Sequence, residues 1–492
     1  MESNRTELTG YIIDGSGKPG FFGRVVVEGD KISEVAETAA PEGLKASDAV
    51  FITPGFIDSH SHSDAYLILE PDAPSKLSQG ITTEINGQCG GSIVPRYGEA
   101  RLSSDWKALL GDRLTWHTLA EYREVLEAAH PAINTVQFIG HNTLRSSVIG
   151  YANEKATPMT LGRMSYLLEQ ALDEGGKGLT TGLIYPPGKY SDSAEVEALA
   201  QVVAKRGGYY ATHMRSEGDA ILEAIDEVLK LVRNSGIKAE ISHLKTSGEK
   251  NWSKIDAVLE KIEGAVEEGL LLGSDRYPYC AAGTDLDIVI EDDGTIKDRD
   301  WSKVMIGGTW HEDNKRYSGR LVSEILKDEG ANASEFIKEV VKKDGGKTGA
   351  FFFSMNEENL KKIYSREWIV PGSDASLRAP WGPLAADFPH PRAYSTMPEF
   401  YRQVRGLGFS REQAVARMTG VPARRFGLKG RGILEKGAFA DLVVWKESEF
   451  KGNATFAEPH QFASGVSLVM VNGTISYRDG KFTGERGGRF LD

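Results

Sequence analysis

Two histidines that follow a short apolar run are the first residues of this sequence that could do chemistry. They are His60 and His62, in the stretch GFIDSHSHSD that begins at Gly55. In a strand, residues i and i+2 project from the same face, so at a strand end both imidazoles would lie within reach of one ion. The alternative interpretation is a polar loop that contains two histidines. These residues alone do not decide between the two.

Four further side chains supply the kinds of ligand that zinc prefers, namely Cys89, His213, His243 and Asp374. The cysteine and the two histidines of this set could provide three protein ligands and leave one position open, which is typical of a catalytic zinc site. Asp374 and the histidines of the first motif could form a second, weaker site or contact the same ion. Each residue also has a structural interpretation, since Cys89 could be a small buried apolar residue, the histidines hydrogen-bonded core residues and Asp374 a strand-end cap.

The candidate ligands lie where short apolar segments give way to polar residues. Eight such segments alternate with helical patterns, and in chain order they are GFIDSHSHSD, GITTEINGQCG, NTVQFIGHNTLR, GKGLTTGLIYPPG, GGYYATHMRSEG, KAEISHLKTSG, GLLLGSDRYPY and EWIVPGSDAS. This alternation predicts an α/β fold, specifically a (β/α)8 TIM-like barrel. Because such barrels place catalytic groups at the C-terminal ends of their strands, we expect the candidates to meet at one end of the barrel.

The regions outside these segments predict additional units. Residues 1–54 and 430–492 carry β-like runs separated by turns, such as GRVVVEGD and KGAFADLVVWKE, and they predict a small β-sandwich domain formed by both chain ends. The barrel would then occupy residues 55–429. An insertion at about 285–365, between the seventh and eighth strands, predicts a lid or a substrate-binding subdomain.

The composition narrows the choice of partners and location. The 492 residues are 40% hydrophobic and 26% charged, as in ordinary globular proteins. The net charge of −12 argues against nucleic acid and anionic membranes as partners. The first residues lack the features of a signal peptide, and two cysteines do not make a disulfide framework. We therefore expect a cytoplasmic protein with a small-molecule partner, and its oligomeric state is not readable from the sequence.

A series of motifs gives the metal-site hypothesis a more specific form. In chain order they are GQCGGS, GLIYPPG, THMRSEG, ISHLK, DRYPY, GSDAS and HPRAYSTMP. The segment GFIDSHSHSD resembles the first-strand signature of the amidohydrolase superfamily, and the whole series resembles the D-aminoacylase family of N-acyl-D-amino-acid deacylases. The matches run in the family's order from about Gly10 to Gly473, which is nearly the whole chain.

The resemblance implies zinc-dependent hydrolysis of the amide bond of N-acyl-D-amino acids, with one tightly held zinc ion and a second, weaker metal position. In this family a cysteine stands where many amidohydrolases bridge two metals with a modified lysine, and Cys89 fits that position. The roles implied for individual residues are zinc ligation by Cys89, His213 and His243, a second metal position at His60, His62 and Asp374, and acid–base catalysis by Asp374.

The free carboxylate of such a substrate requires a positive clamp. Lys245 lies two residues beyond a candidate ligand, on the same strand face. Tyr185 and Tyr277 offer hydroxyls at neighbouring strand ends, and the resemblance favours all three residues as substrate binders. Arg378 and Arg392 follow the last strand and could add charge. The alternatives are a solvated strand-end lysine at Lys245 and a surface charge at Arg378.

Two other functions remain open at this point. The same barrel and metal site could hydrolyse cyclic amides or D-dipeptides, although Cys89 and the motifs GLIYPPG and HMRSEG argue against a hydantoinase or dihydroorotase. A non-catalytic scaffold is the other alternative, but such proteins usually lack metal ligands and none is missing here. The preferred side chain, the acyl group and the number of working metals are not determined by the sequence.

Overall fold

The structure, a computed structural model, describes residues 5–100, 106 and 109–492. Its strands are β1 Arg5–Ile12, β2 Phe21–Glu28, β3 Lys31–Glu37, β4 Phe51–Pro54, β5 Phe56–Asp58, β6 Ile81–Asn86, β7 Asn134–Gln137, β8 Ile139–Gly140, β9 Gly178–Gly182, β10 Tyr209–His213, β11 Lys238–Ile241, β12 Leu272–Arg276, β13 Ala282–Asp285, β14 Val304–Ile306, β15 Gly349–Phe352, β16 Ile369–Pro371, β17 Leu442–Trp445, β18 Val466–Val471, β19 Thr474–Arg478 and β20 Lys481–Phe482.

The α-helices among the described residues span Tyr66–Leu69, Pro74–Leu77, Leu119–Ala129, His141–Val148, Pro158–Asp173, Ser193–Lys205, Ile221–Ser235, Ile255–Glu267, Val322–Glu329, Ala333–Lys343, Glu357–Tyr364, Arg392–Gly406, Arg411–Met418 and Gly420–Arg425. Short 3-10 helices span Ala46–Asp48, Gly111–Arg113, Gly188–Tyr190, Glu249–Lys254, Leu286–Val289, Trp301–Lys303, Glu312–Tyr317, Gly382–Ala386 and Glu447–Glu449. Within the part of the chain described above, no helix combines the length and apolar character needed to cross a membrane.

The strands from β5 to β12, together with β16, form the barrel that the sequence predicts. Strand β5 pairs in parallel with β6, β6 with β7, β8 with β9, and the parallel series continues through β10, β11 and β12 to β16. The predicted third strand is divided at Phe138 into β7 and β8, each of which pairs with a different neighbour. Buried apolar residues occupy these short strands because both faces of a barrel strand are covered.

The barrel closes between its first and last strands. The amide of Ser59 donates to the Pro371 carbonyl at 3.2 Å, and the amide of Asp374 donates to the His60 carbonyl at 2.8 Å. Ser61 and Ala375 form a further parallel bridge. Closure therefore places the HSH motif directly beside Asp374, although more than 300 residues separate them in the chain.

Amphipathic helices cover the outside of the barrel. The helix Ile221–Ser235 buries Ile221, Ile225, Val228 and Val232, which recur at the spacing of one helix face. It ends at Gly236, whose φ of 67° is the left-handed conformation that glycine adopts without strain. The helices predicted between the strands are thus present, and their apolar stripes pack on the barrel.

Both ends of the chain contribute to one eight-stranded sheet. Its strand order is β20-β19-β18-β17-β4-β1-β2-β3, and the antiparallel pairing of β17 with β4 joins the C-terminal half to the N-terminal half. Ile12, Val25, Ile52, Leu442 and Met470 belong to its buried core. This arrangement confirms that both chain ends build a separate β unit beside the barrel.

The segment between β12 and β16 forms a small unit with its own core. Strands β13, β15 and β14 make an antiparallel sheet, and residues such as Leu286, Ile306, Ile337 and Phe352 are buried together against it. The following helix, Glu357–Tyr364, packs instead on the barrel helix Ile255–Glu267. The inserted sheet therefore stands at the barrel mouth, where it forms part of the wall of the cavity described below.

Candidate active site

The C-terminal ends of the barrel strands converge on a cavity of about 530 Å3. Of the six predicted metal ligands, five line this cavity directly, namely His62, Cys89, His213, His243 and Asp374. The sixth, His60, is completely buried beneath them, with its ring 5.0 Å from that of His243. Barrel closure thus brings together six side chains that lie on five different strand ends.

Cys89 occupies the centre of this cluster. Its Sγ lies 3.3 Å from His60 Nε2 and 3.3 Å from His243 Nε2. Burial raises the pKa of the thiol, but His60, His243 and His213 outweigh that effect and hold it well below its usual range. The low pKa favours the thiolate, which is the form that binds zinc.

Three of the candidate ligands have a left-handed backbone. The φ angles are 52° at Cys89, 39° at His243 and 49° at Asp374. Non-glycine residues rarely adopt this conformation, and it costs on the order of 1–3 kcal/mol per residue. The surrounding fold imposes the conformation at three ends of barrel strands, where it turns each side chain toward the shared cavity.

Asp374 links the histidines to an arginine. Its Oδ1 lies 3.0 Å from His62 Nε2 and 3.4 Å from His60 Nε2, while its Oδ2 lies 2.9 Å from Arg392 Nη1. Burial acts to raise the pKa of Asp374, but Arg392, His243 and the hydrogen bonds from His60 and His62 hold it well below its usual range. The carboxyl group is thus kept as a carboxylate that can accept a proton.

His213 lies beside a carboxylate that the sequence interpretation missed. Glu217 Oε2 is 3.7 Å from His213 Nε2, and Glu217 Oε1 is 2.9 Å from His243 Nδ1. Burial would raise the pKa of Glu217, but Lys245, His213 and His243 lower it below its usual range. Glu217 can therefore orient His243 or offer an oxygen to an ion next to His213. The only sequence signal for it was its position four residues after a candidate ligand, within the motif THMRSEG.

Asp275 is the second carboxylate that the ligand prediction left out. It lies next to the last residue of strand β12, where its Oδ2 is 3.2 Å from His60 Nδ1 and its Oδ1 accepts a hydrogen bond from the His243 amide at 2.9 Å. An outer carboxylate of this kind fixes which ring nitrogen faces a metal. Here it leaves His60 Nε2 directed at Cys89. Its place among the polar strand ends was visible in the sequence, but its partner was not.

The residues present fit a zinc ion. Ligand atoms of His60, Cys89, His243 and Asp374 all lie within 4.8 Å of one another, and a second such group consists of His213, Glu217 and His243. Both ring nitrogens of His213 are buried without a hydrogen-bond partner among the described residues. Buried polar atoms are rarely left unpaired, and thiolate with imidazole is a donor set typical of zinc. The geometry thus places Cys89 as near to His60 as to His243, and the two predicted ligand sets share one cluster.

All five predicted substrate-binding residues line the same cavity, namely Tyr185, Lys245, Tyr277, Arg378 and Arg392. Tyr277 is fully buried, and its hydroxyl has no hydrogen-bond partner among the described residues. Burial raises its pKa, but Lys245, Arg276 and Arg392 outweigh that effect and lower it. The hydroxyl is thus a polarised donor held among cations.

The other predicted substrate-binding residues differ in the ion pairs and hydrogen bonds that their polar groups already form. Lys245 forms an ion pair with Glu217 and lies 2.8 Å from His243 Nδ1. Arg378 Nε donates to Asp387 Oδ2 at 2.8 Å, so its charge is already paired. Tyr185 lies 5.1 Å from the ring of His213, and its hydroxyl is 3.2 Å from Thr284 Oγ1. Neither Lys245 nor Arg378 is the solvated surface charge that the sequence left as an alternative, because both are largely buried at the cavity.

The chain matches the amidohydrolase family over residues 50–286 and 328–477. It is 34% identical to a D-aminoacylase of Alcaligenes xylosoxydans xylosoxydans, over 98% of this chain and 96% of that protein. It is 33% identical to an N-acyl-D-glutamate deacylase of the same organism, over 94% of this chain and 91% of that protein.

A solved structure gives the same relationship in three dimensions. It is the N-acyl-D-glutamate deacylase from Bordetella bronchiseptica, complexed with zinc and a phosphonate inhibitor that mimics the tetrahedral intermediate of the reaction. The TM-score is 0.86 at 32% identity, over 99% of this chain and 98% of that one. Sequence and fold agree along almost the entire length, and the chain belongs to the D-aminoacylase family of the amidohydrolases.

Proposed function

We propose that this protein is a zinc-dependent deacylase that hydrolyses N-acyl-D-amino acids to a carboxylate and a free D-amino acid. The observation that carries the proposal is the cluster of Cys89, His60, His243 and Asp374 at the floor of a cavity lined by cationic and hydroxyl side chains. The relatives with nearly full-length matches carry the names D-aminoacylase and N-acyl-D-glutamate deacylase, which supports the same chemistry here.

Cys89, His213 and His243 are the proposed ligands of the tightly held zinc, and His60 and His62 form the proposed second position with Asp374. When bound, zinc would supply a Lewis acid for the amide carbonyl and acidify the attacking water. The protein's own contribution begins with orientation. Asp275 and Glu217 hold the Nδ1 atoms of His60 and His243, so that each Nε2 faces the cluster.

Asp374 is the proposed proton carrier. Its carboxylate accepts the proton of the attacking water as the new carbon–oxygen bond forms. It then delivers that proton to the amide nitrogen as the carbon–nitrogen bond breaks, because an amine leaves readily only when it is protonated. Arg392, 2.9 Å from Asp374, stabilises the carboxylate form between these steps.

The α-carboxylate of the substrate is proposed to lie among Lys245, Tyr277 and Arg392. These groups converge, since the Arg392 guanidinium carbon is 4.6 Å and Lys245 Nζ is 5.9 Å from the Tyr277 ring. The buried Tyr277 hydroxyl would gain the hydrogen bond that it lacks among the described residues. Tyr185 is positioned to bind the substrate from the side of His213.

The test measures amine release from paired N-acetyl-D- and N-acetyl-L-amino acids, with added zinc or with a chelator. We expect turnover of D-substrates only, and loss of it in chelator. Asp374→Asn should lower kcat by roughly 10²–10⁴-fold, the usual contribution of a general acid–base group. Asp256→Asn is the matched control, because Asp256 is 60% exposed and pairs with Lys362 away from the cavity. Zinc-loaded protein that hydrolyses none of these amides would refute the proposal.

A further inference from the structure

Gln88 is a polar residue of the cavity wall that the proposed mechanism does not use. It lies two residues beyond the end of strand β6, directly before Cys89, and it lines the cavity although only 1% of its surface is exposed. Neither the Nε2 nor the Oε1 atom of its carboxamide has a hydrogen-bond partner among the described residues. Buried polar atoms are rarely left unpaired, because they lose the hydrogen bonds that water would make. The carboxamide is therefore a candidate for a contact with a bound substrate.

The barrel topology places Gln88 opposite the groups proposed to bind the α-carboxylate of the substrate. In barrel order β5 is the first strand, β6 the second, β11 the sixth, β12 the seventh and β16 the eighth. Gln88 follows the second strand. Lys245 follows the sixth strand, and Tyr277 follows the seventh. The second and sixth strands of an eight-stranded barrel lie on opposite sides of its axis, so the α-carboxylate and Gln88 lie on opposite sides of the cavity.

The proposed mechanism gives the direction in which the substrate lies between these two sides. The scissile nitrogen faces Asp374, which follows the eighth strand and delivers a proton to that atom. The scissile carbonyl lies at the cluster around Cys89. The acyl group is bonded to the far side of this carbonyl, so it extends toward the ends of the second to fourth strands, where Gln88 lies. Gly91 and Trp106 belong to the same segment after β6 and also line the cavity.

A carboxamide without partners matches a ligand group that is itself a neutral amide. The Nε2 of Gln88 donates hydrogen bonds, its Oε1 accepts them, and the group carries no charge. A primary amide on the acyl group can accept from Nε2 and donate to Oε1, so that both buried atoms are paired at once. An apolar acyl group would leave both atoms unpaired, and a carboxylate could engage only the donor. The cavity of about 530 Å3 leaves room for more than an acetyl group, since pockets of about 300–1,000 Å3 hold drug-sized ligands.

We infer that Gln88 is a specificity residue that binds a neutral amide carried by the acyl group, so that acyl groups ending in a carboxamide are preferred over apolar ones. This inference rests on the proposed deacylase function. It assigns the selection of the acyl group to the segment after β6 and leaves the selection of the D-amino acid to the rest of the cavity.

The test places three acyl groups of nearly equal size on one D-amino acid, the one whose N-acetyl derivative is hydrolysed fastest. Succinamoyl ends in a carboxamide, 4-oxopentanoyl has a methyl group in place of the terminal NH2, and pentanoyl lacks the second carbonyl oxygen as well. We expect kcat/KM of the wild-type enzyme to fall in that order. Succinamoyl should exceed pentanoyl by at least about tenfold, because it pairs both atoms of Gln88 and pentanoyl pairs neither.

Gln88→Leu removes the carboxamide at similar side-chain volume. It should lower kcat/KM for the succinamoyl substrate by about 10–100-fold, mainly through KM, and change the pentanoyl and acetyl substrates by less than about threefold. Gln170→Leu is the matched control, because Gln170 lies on an outer helix, where its Nε2 donates to Glu174 Oε1 at 2.9 Å. It should leave all rates and the zinc content unchanged.

Equal kcat/KM for the three acyl groups in the wild-type enzyme would overturn the inference, and this result does not depend on the folding of any variant. Equal losses for all acyl groups in Gln88→Leu would overturn it too, since Gln88 would then act through the neighbouring Cys89 or through the fold. In both cases, turnover of N-acetyl-D-amino acids by the wild-type enzyme would leave the deacylase function intact. Zinc-loaded enzyme that hydrolyses no N-acyl-D-amino acid would remove both proposals.

Discussion

Lys76 is a fully buried lysine that ties the first and last barrel strands together. Its ammonium group lies 2.7 Å from Asp58 Oδ2 and 3.4 Å from Glu84 Oε2, and all three side chains are 0% exposed. It also donates to Ser61 Oγ at 3.0 Å and to the Ala375 carbonyl at 3.1 Å. Replacing it with methionine keeps most of the volume and removes every one of these contacts.

The expected loss of stability follows from the charged groups that remain in the interior. In Lys76→Met, two carboxylates would stay in the interior without their shared counter-ion. Removing one partner of a buried ion pair typically costs about 3–5 kcal/mol, far more than the 0–1 kcal/mol of an exposed pair. We therefore expect the free energy of unfolding to fall by about 4 kcal/mol.

Urea unfolding at pH 7, followed by tryptophan fluorescence, measures this change as a shift of the first transition at constant slope. The control is Lys250→Met, since Lys250 is 74% exposed and pairs with Asp219, and its effect should stay below about 0.5 kcal/mol. The combined variant Lys76→Met, Asp58→Asn, Glu84→Gln should regain most of the loss, because it buries no unpaired charge.

A loss below about 1 kcal/mol in Lys76→Met would refute this reasoning. It would mean that water or a rearranged neighbour satisfies the two carboxylates, and that the strand junction next to Asp374 does not depend on the lysine. A combined variant no more stable than Lys76→Met would also contradict it, because the penalty would then not come from unpaired charge.

Two further predictions concern the metal cluster and the pH dependence of stability. Cys89→Ser should weaken zinc binding at least about 100-fold, which is more than the 10–100-fold typical for changes outside the metal ligands. Cys280→Ser is the control and should retain zinc, because Cys280 packs on the barrel core. Equal zinc content of the two variants in equilibrium dialysis would contradict the ligand assignment. Burial raises the pKa of Glu240 from 4.5 to about 7, against the opposing effect of Arg425. Between these two pH values the folded state therefore binds a proton that the unfolded state has released. The free energy of unfolding should fall by about 3 kcal/mol in total as the pH rises from about 4.5 to about 7. Glu240→Gln should flatten this part of the stability profile in urea titrations, and an unchanged slope would show that another group is responsible.

The alternation of short apolar segments with amphipathic helices was sufficient to predict the barrel. The β-like runs separated by turns at the two chain ends were sufficient to predict that both ends build one β unit. Local order carries this information, because strand and helix periodicity depend on neighbouring residues. The sequence predicted the boundaries of individual strands less well. The third strand is divided at Phe138, because β7 bonds to β6 while β8 bonds to β9, and no local pattern indicates that exchange of partners.

The candidate site was likewise predicted only in part from the sequence. His60, His62, Cys89, His213, His243 and Asp374 were predicted from residue type and position at strand ends, and they do meet at one end of the barrel. Glu217 and Asp275 were not assigned, because a carboxylate after a strand is common and its role depends on which imidazole lies across from it. Those distances are set by the tilt and closure of the barrel.

The sequence by itself determined the kind of chemistry, because zinc affinity depends on thiolate, imidazole and carboxylate groups that can be read directly. Tertiary structure decided how those groups are paired. It placed Cys89 equally close to His60 and His243, paired Arg378 with Asp387, and left the buried Nε of Arg299 without a hydrogen-bond partner among the described residues. Whether a charge is neutralised depends on contacts between residues far apart in the chain, and only the folded barrel and its insertion bring them together.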